Sequence, residues 1–176
     1  MILKYNFESM NDNPLSLFKT IRHFIFDIDG VLTDGSLLIH ADGSLLRTMN
    51  IRDGYALQLA VKKGYSVSII SGAKGEAIEK RLLGLGVEDI HLGIENKLQK
   101  FEEVLKKGTL LKSQTLYMGD DMPDLPVMQT VVLPCAPADA CHEIRQIAKY
   151  ISPFNGGQGC VRDVIEKVLK LNGHWS

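Results

Sequence analysis

The sequence predicts a doubly wound, Rossmann-like α/β fold, a parallel sheet with helices on both faces. Three observations predict it. Short β-prone apolar runs alternate with stretches of helical periodicity about five times between His23 and Leu171, with no break in composition. Phe24 to Phe26 is continuously apolar, as a strand covered on both faces must be. Several of these runs end abruptly in polar residues, at Asp27-Ile28-Asp29-Gly30, Ser71-Gly72 and Gly119-Asp120-Asp121, and the carboxyl ends of strands are where open α/β sheets carry their chemistry.

The elements follow in order. Residues 1–20 form a leader, polar and irregular to residue 13, with one or two helical turns from Pro14 to Ile21. The Asp27 strand comes next. Ser36 to His40 and Leu45 to Asn50 flank Ala41-Asp42-Gly43-Ser44, and Asp-Gly between two β-prone runs marks a hairpin. Asp53 can cap a helix from Gly54 to Lys63. Tyr65 to Ile70 reads as a strand ending in Ser71-Gly72, followed by a helix to Leu83 that Gly84 and Gly86 end. A short strand, Asp89 to Leu92, precedes a helix from Lys97 to Lys107 with Leu98, Phe101, Val104 and Leu105 as its buried stripe. Thr115 to Met118 is a strand and Pro123 to Met128 a short helix. Val131 to Cys135 is a strand, Ala138 to Ile147 a helix and Tyr150 to Ser152 a last strand. Residues 155–176 comprise the loop Asn155–Gly159, a helix from Cys160 to Leu171 and a tail. One domain accounts for the whole chain.

Composition narrows the function. Of 176 residues, 45% are hydrophobic and the formal net charge is −1, so neither a nucleic-acid surface nor a membrane is an expected partner. Any anionic substrate must meet a local cluster of cations. Cys135, Cys141 and Cys160 are odd in number and lack metal-ligand spacing, which points to a reducing cytoplasmic setting, and the five histidines give no zinc pattern.

Asp27 and Asp29 carry the argument furthest. Two carboxylates this close repel each other unless a cation lies between them, which points to Mg²⁺ with one carboxylate free to attack. Taken alone, Asp29-Gly30 also suits a polar turn after a strand, Ser71-Gly72 a strand-to-helix turn, Lys97 a solvated helix start and Asp124 a local cap. Together they require several coincidences.

The ordered set Asp27-x-Asp29-Gly30-x-x-Thr33, Ser71, Lys97 and Gly119-Asp120-Asp121-x-x-Asp124 resembles the haloacid dehalogenase superfamily of phosphatases. The resemblance implies that Asp27 attacks phosphorus to form an aspartyl-phosphate and that Asp29 is the general acid and base. It implies a Mg²⁺ site from Asp27, the Asp29 backbone carbonyl and Asp120, with Asp121 and Asp124 in support. Ser71, the Gly72 amide and Lys97 would bind the phosphoryl group. Such phosphatases usually carry a cap domain. Neither interval that could hold one, Asp29 to Ser71 or Ser71 to Lys97, is long enough.

A capless core with a hairpin insertion, residues 36–50, after the first strand is similar to the 3-deoxy-D-manno-octulosonate 8-phosphate (KDO 8-phosphate) phosphatases. Asn50-Ile51-Arg52-Asp53-Gly54 and Gly156-Gly157-Gln158-Gly159-Cys160-Val161-Arg162 match further segments of that group. This resemblance implies a sugar-acid phosphate as substrate, read by Asn50, Ile51, Arg52, Asp53, Gly54 and Arg81. It also implies a homotetramer whose hairpins and C-terminal segments help close neighbouring sites. The Gly156–Gly159 loop and the tail to Trp175 are accordingly expected near a neighbour's pocket. Gln58, Ala73 and Gln158 stand where arginine occurs in some relatives. That keeps a nine-carbon 2-keto-3-deoxynonulosonate 9-phosphate open as a rival substrate. A receiver-type signalling domain is the alternative from another class, but its acidic pair and its phosphorylated aspartate lie on different strands, whereas Asp27 and Asp29 share one.

Overall fold

The computed structural model describes residues 14–108 and 110–176; the expected irregular leader, residues 1–13, lies outside them. Among the described residues, eight strands and seven α-helices follow one another. The strands are β1 (His23–Phe26), β2 (Leu38–Ile39), β3 (Leu45–Leu46), β4 (Ser66–Ile70), β5 (Asp89–His91), β6 (Thr115–Met118), β7 (Leu133–Ala136) and β8 (Tyr150–Ile151). The helices are α1 (Pro14–Thr20), α2 (Ile51–Lys62), α3 (Glu76–Leu83), α4 (Lys97–Gly108), α5 (Leu125–Met128), α6 (His142–Ile147) and α7 (Cys160–Leu171).

Six strands form one parallel sheet in the order β5-β4-β1-β6-β7-β8. The chain winds outward from β1 in one direction through β4 and β5, then returns to wind the other way through β6, β7 and β8. The gap between the carboxyl ends of β1 and β6 is therefore the topological switch point, where such sheets bind their ligands. The register pairs Phe26 with Met118, which brings Asp27 and the Gly119-Asp120-Asp121 turn to one place.

Alternation along β1 divides the core into two layers. Phe24 and Phe26 join Phe18, Leu57, Leu82 and Ile165 from α1, α2, α3 and α7. Ile25 joins Phe101, Val127 and Ile144 from α4, α5 and α6. Both faces are covered, as the unbroken apolar run requires.

The hairpin β2–β3 forms a separate antiparallel pair around Gly43, whose φ of +85° suits glycine at this turn. The interval from β1 to β4 holds only this hairpin and α2, and that from β4 to α4 only α3 and β5, so the core is capless. Among the described residues no helix is long and apolar enough to cross a membrane.

Several boundaries differ from the sequence expectation; β7, for one, runs Leu133–Ala136 instead of Val131–Cys135. α2 starts at Ile51, and its cap is Asn50, whose side chain accepts the Arg52 amide at 2.8 Å; Asp53 lies inside the first turn. α6 starts at His142 rather than Ala138, because Cys141 is extended and its amide is bonded to the Asp120 carbonyl at 2.9 Å. The hairpin strands are shorter than their β-prone runs.

The tail packs on its own chain. The ring of Trp175 meets Tyr55 edge-on at 6.1 Å between centroids and lies 5.2 Å from the Arg162 guanidinium, and His174 Nδ1 is 3.0 Å from the Tyr65 hydroxyl. The Gly156–Gly159 loop also contacts its own chain. The Gly157 amide donates to the Val31 carbonyl at 2.9 Å, and a Cβ on Gly156 would fall 2.0 Å from the Gly30 carbonyl oxygen. The loop thus braces the turn that follows β1.

Candidate active site

The Asp27 amide donates to the Met118 carbonyl at 3.1 Å, extending the β1–β6 pairing one residue past the strand. The chain then turns tightly, with the Val31, Leu32 and Thr33 amides all directed at the Ile28 carbonyl. Gly30 turns at φ +84°, and a Cβ there would lie 2.0 Å from Asp120 Oδ2. The glycine is what lets the Asp120 carboxylate approach the backbone beside Asp27.

Four charged groups meet at this point. Lys97, at the start of α4 and buried, places Nζ 2.8 Å from Asp27 Oδ2 and 2.7 Å from Asp124 Oδ1. The fully buried Asp124 is held on both oxygens. Oδ1 also accepts the Tyr117 hydroxyl at 2.7 Å, and Oδ2 accepts the amides of Asp120 at 3.2 Å and Asp121 at 3.4 Å. Asp124 is therefore a strut, fixing Lys97 from below and the Asp120 turn from the side. Asp121 caps the 3₁₀ turn Met122–Asp124 and reaches the cleft from its rim.

The electrostatics are those of a site short of positive charge. Burial, then the Asp124 charge, raises the Asp27 carboxyl, with Lys97 opposing. Burial followed by the charges of Asp27 and Asp124 pushes Asp120 up to about 7. Burial alone would lower Lys97, but the two carboxylates beside it outweigh that and raise it. Carboxylate oxygens of Asp27, Asp120 and Asp124 lie within 4.8 Å of one another, and Asp27 Oδ1 is buried without a hydrogen-bond partner. An all-oxygen set with an unsatisfied buried acceptor suits a hard divalent cation such as Mg²⁺.

These groups line a cleft of about 610 Å³ together with Asp29, Ser71, Gly72, Ala73, Ile94, Glu95 and Asp121. The buried Ser71 hydroxyl accepts the Ala73 amide at 3.2 Å, which shapes the turn after β4. Asp27, Asp29, Ser71, Gly72, Lys97, Asp120, Asp121 and Asp124 are thus brought together as the ordered motifs imply. Sequence reasoning missed Arg47, which forks Asp29 with Nε 2.6 Å from Oδ1 and Nη2 2.9 Å from Oδ2. The only signal was that Arg47 is the single Lys or Arg between Ser36 and Asn50. Tyr117 was also missed, because it reads as a core aromatic within an apolar strand.

The residues matched to substrate binding are not brought into this cleft. Asn50 caps α2, and its Nδ2 donates to the Gly157 carbonyl at 3.2 Å. Ile51 points outward, 78% exposed. Arg52 borders a different cavity of about 350 Å³, with Phe154, Gln158 and Arg162. Asp53 is buried against the first turn of α7, where Oδ1 accepts the Arg162 amide at 2.7 Å. Gly54 is buried beneath the Arg81 guanidinium, where a Cβ would lie 2.7 Å from Nη2. Arg81 itself lines a third cavity of about 330 Å³ between hairpin and α3, with Arg47 and Lys74. For Asn50 and Asp53 the cause is that the start of α2 is tied to the Gly157 loop and the first turn of α7; Arg81 is carried by α3.

Fold and site together define a hydrolase class. A family model described as haloacid dehalogenase-like hydrolase matches residues 86–165. The 3-deoxy-D-manno-octulosonate 8-phosphate phosphatase of Escherichia coli (strain K12) is 37% identical over 155 residues, covering 88% of this chain and 82% of that protein. The crystal structure of the enzyme of that name from Yersinia pestis superposes with a TM-score of 0.90 at 33% identity, covering 93% of this chain and 89% of that one. A Moraxella catarrhalis enzyme of the same name, in complex with magnesium, phosphate and KDO, superposes with a TM-score of 0.88 at 30% identity and 92% coverage of both chains. The chain belongs to the 3-deoxy-D-manno-octulosonate 8-phosphate phosphatase family of haloacid dehalogenase-like hydrolases.

Proposed function

We propose that this chain is a Mg²⁺-dependent phosphatase that converts KDO 8-phosphate to KDO and inorganic phosphate. The observation that carries this reading is Asp27 itself, at the switch point, with one oxygen on Lys97, the other buried without a hydrogen-bond partner, and carboxylate oxygens of Asp120 and Asp124 within 4.8 Å. When bound by Asp27, Asp120 and the Asp29 carbonyl, Mg²⁺ offsets the repulsion between the nucleophile and the phosphate dianion.

Two displacements follow. An Asp27 carboxylate oxygen attacks phosphorus, the bond to the sugar oxygen breaks, and Asp29 gives its proton to that oxygen. Water then attacks phosphorus and yields its proton to Asp29, releasing inorganic phosphate and restoring the Asp27 carboxylate. Lys97 balances the charge of nucleophile and phosphoryl group, while Ser71 and the Gly72 amide hold phosphoryl oxygens.

The apolar hairpin fits a homotetramer, in which Arg52 and Arg81 are the candidates to read the substrate carboxylate. Three unpaired cysteines suit a cytoplasmic setting. The reading is tested by phosphate release from KDO 8-phosphate with Mg²⁺ and with excess chelator, alongside the nine-carbon 2-keto-3-deoxynonulosonate 9-phosphate. Mg²⁺-dependent turnover with higher kcat/KM on KDO 8-phosphate is expected. Preference for the nine-carbon ester would reassign the substrate, and a stable phosphoprotein without turnover would favour the receiver-type reading.

A further inference from the structure

We propose that Arg47 is the positioning residue for Asp29, so that the hairpin, and not β1 alone, sets the acid/base of the reaction. The inference rests on the phosphatase reading for what Asp29 does, and on geometry for what holds it. Asp29 lies beyond the end of β1 in a side chain that is 34% exposed, so the strand does not fix its direction. Arg47 does. Its guanidinium meets both carboxylate oxygens in a fork, and its side chain is only 6% exposed. Planar bidentate pairs of this kind fix orientation; one arm of the fork must open when an Asp29 oxygen carries the proton that goes to the leaving group, while the other arm keeps its direction. The remaining nitrogen, Nη1, reaches the Leu45 carbonyl at 3.4 Å and ties the fork back to β3. The Thr33 hydroxyl, 3.4 Å from Oδ1, is a long second contact.

A hairpin anchor and a positioning residue make different predictions, and the leaving group separates them. An alkyl phosphate needs a proton delivered to its departing oxygen; p-nitrophenyl phosphate, whose phenolate leaves unaided, does not. The parameter to compare is kcat/KM, which reports steps up to departure of the leaving group.

Arg47→Gln and Arg47→Lys are compared with the full-length wild type on three esters: p-nitrophenyl phosphate, a short alkyl phosphate without a carboxylate, and KDO 8-phosphate. For Arg47→Gln, kcat/KM on both alkyl esters should fall at least about tenfold, while the nitrophenyl ester stays within about twofold. Arg47→Lys, which keeps charge but loses the fork, should recover part of the loss. Equal losses on all three esters would overturn the proposal in favour of a structural anchor. A loss confined to KDO 8-phosphate would overturn it in favour of a carboxylate ligand.

Amide exchange in residues 36–50 gives a readout independent of turnover. Arg47→Gln and Asp29→Asn should each speed exchange, and the double variant should be no faster than either. Additive effects would mean that the fork does not form. Coupled exchange in a wild type that hydrolyses none of the esters would leave the fork standing and overturn the phosphatase reading instead.

Discussion

Asp27 and Asp53 are both buried carboxylates, yet they differ in what surrounds them. Asp27 faces Lys97, Asp124 and an open cleft. Asp27→Asn keeps the shape but removes the nucleophilic charge, so turnover should fall by roughly 10³-fold or more while thermal stability holds or rises; near-normal turnover of the purified variant would remove Asp27 as nucleophile. Asp53 is pushed up to about 6, chiefly by burial, with the amides of Arg162 and Gly159 opposing. A carboxyl raised in the fold contributes stability fully present below its unfolded value near 3.8 and lost as pH rises through 6. Asp53→Asn keeps an acceptor for the Arg162 amide and escapes that loss. Its melting temperature should match the wild type near pH 4 and exceed it at pH 8 by roughly 5 °C, from about 2 kcal/mol. A difference that does not change with pH would contradict the assignment. The ordered motifs made Asp27 and Lys97 legible, because each follows a strand whose place in the sheet is fixed by alternation. The surroundings of Asp53 were not legible, because they are made by α7, more than a hundred residues away.

The elements best read from sequence were those with one dominant signal. β1, β6, α4 and α7 appear within a residue or so of expectation, since continuous apolar runs and 3.6-residue stripes need no distant partner. Boundaries decided by a third segment were not legible. Asn50 rather than Asp53 caps α2, and Cys141, extended with its amide on the Asp120 carbonyl, delays α6 to His142. The Asn155–Gly159 loop shows the same principle at the site. It reads only as a loop, yet the Gly156 backbone lies against the Gly30 and Thr33 carbonyls beside the cleft, and the Gly156 amide donates to Asp139 Oδ1 at 2.9 Å. Gly156→Ala would force a methyl 2.0 Å from the Gly30 oxygen, a backbone contact that no side-chain rotation relieves. The turn that carries Asp29 and Gly30 must shift, so kcat/KM should drop at least about tenfold and the melting temperature by several degrees. Unchanged kinetics would mean that the loop does not brace the site.

At the scale of the whole molecule, the hairpin is out of keeping with a free surface. Leu38 and Ile39 are 67% and 73% exposed, and Leu45 and Leu46 are 46% and 47% exposed, on a two-stranded pair that would be marginal alone. The cleft beside it is open, while phosphoryl transfer gains from excluding water. Packing hairpins from several copies would cover the leucines and narrow the clefts together. A homotetramer is therefore expected by light scattering at micromolar concentration. Leu38→Asp with Ile39→Asp should break it, since two buried charges outweigh what the apolar contacts contribute. Both side chains are solvent-exposed within one chain, so the isolated fold should survive with an unchanged far-ultraviolet spectrum. The dissociated variant should lose kcat/KM on KDO 8-phosphate more than on p-nitrophenyl phosphate, because the small ester needs only the Asp27 cleft. A wild type that is monomeric and fully active would refute the assembly. A dissociated variant with unaltered selectivity would show instead that each cleft reads its substrate alone.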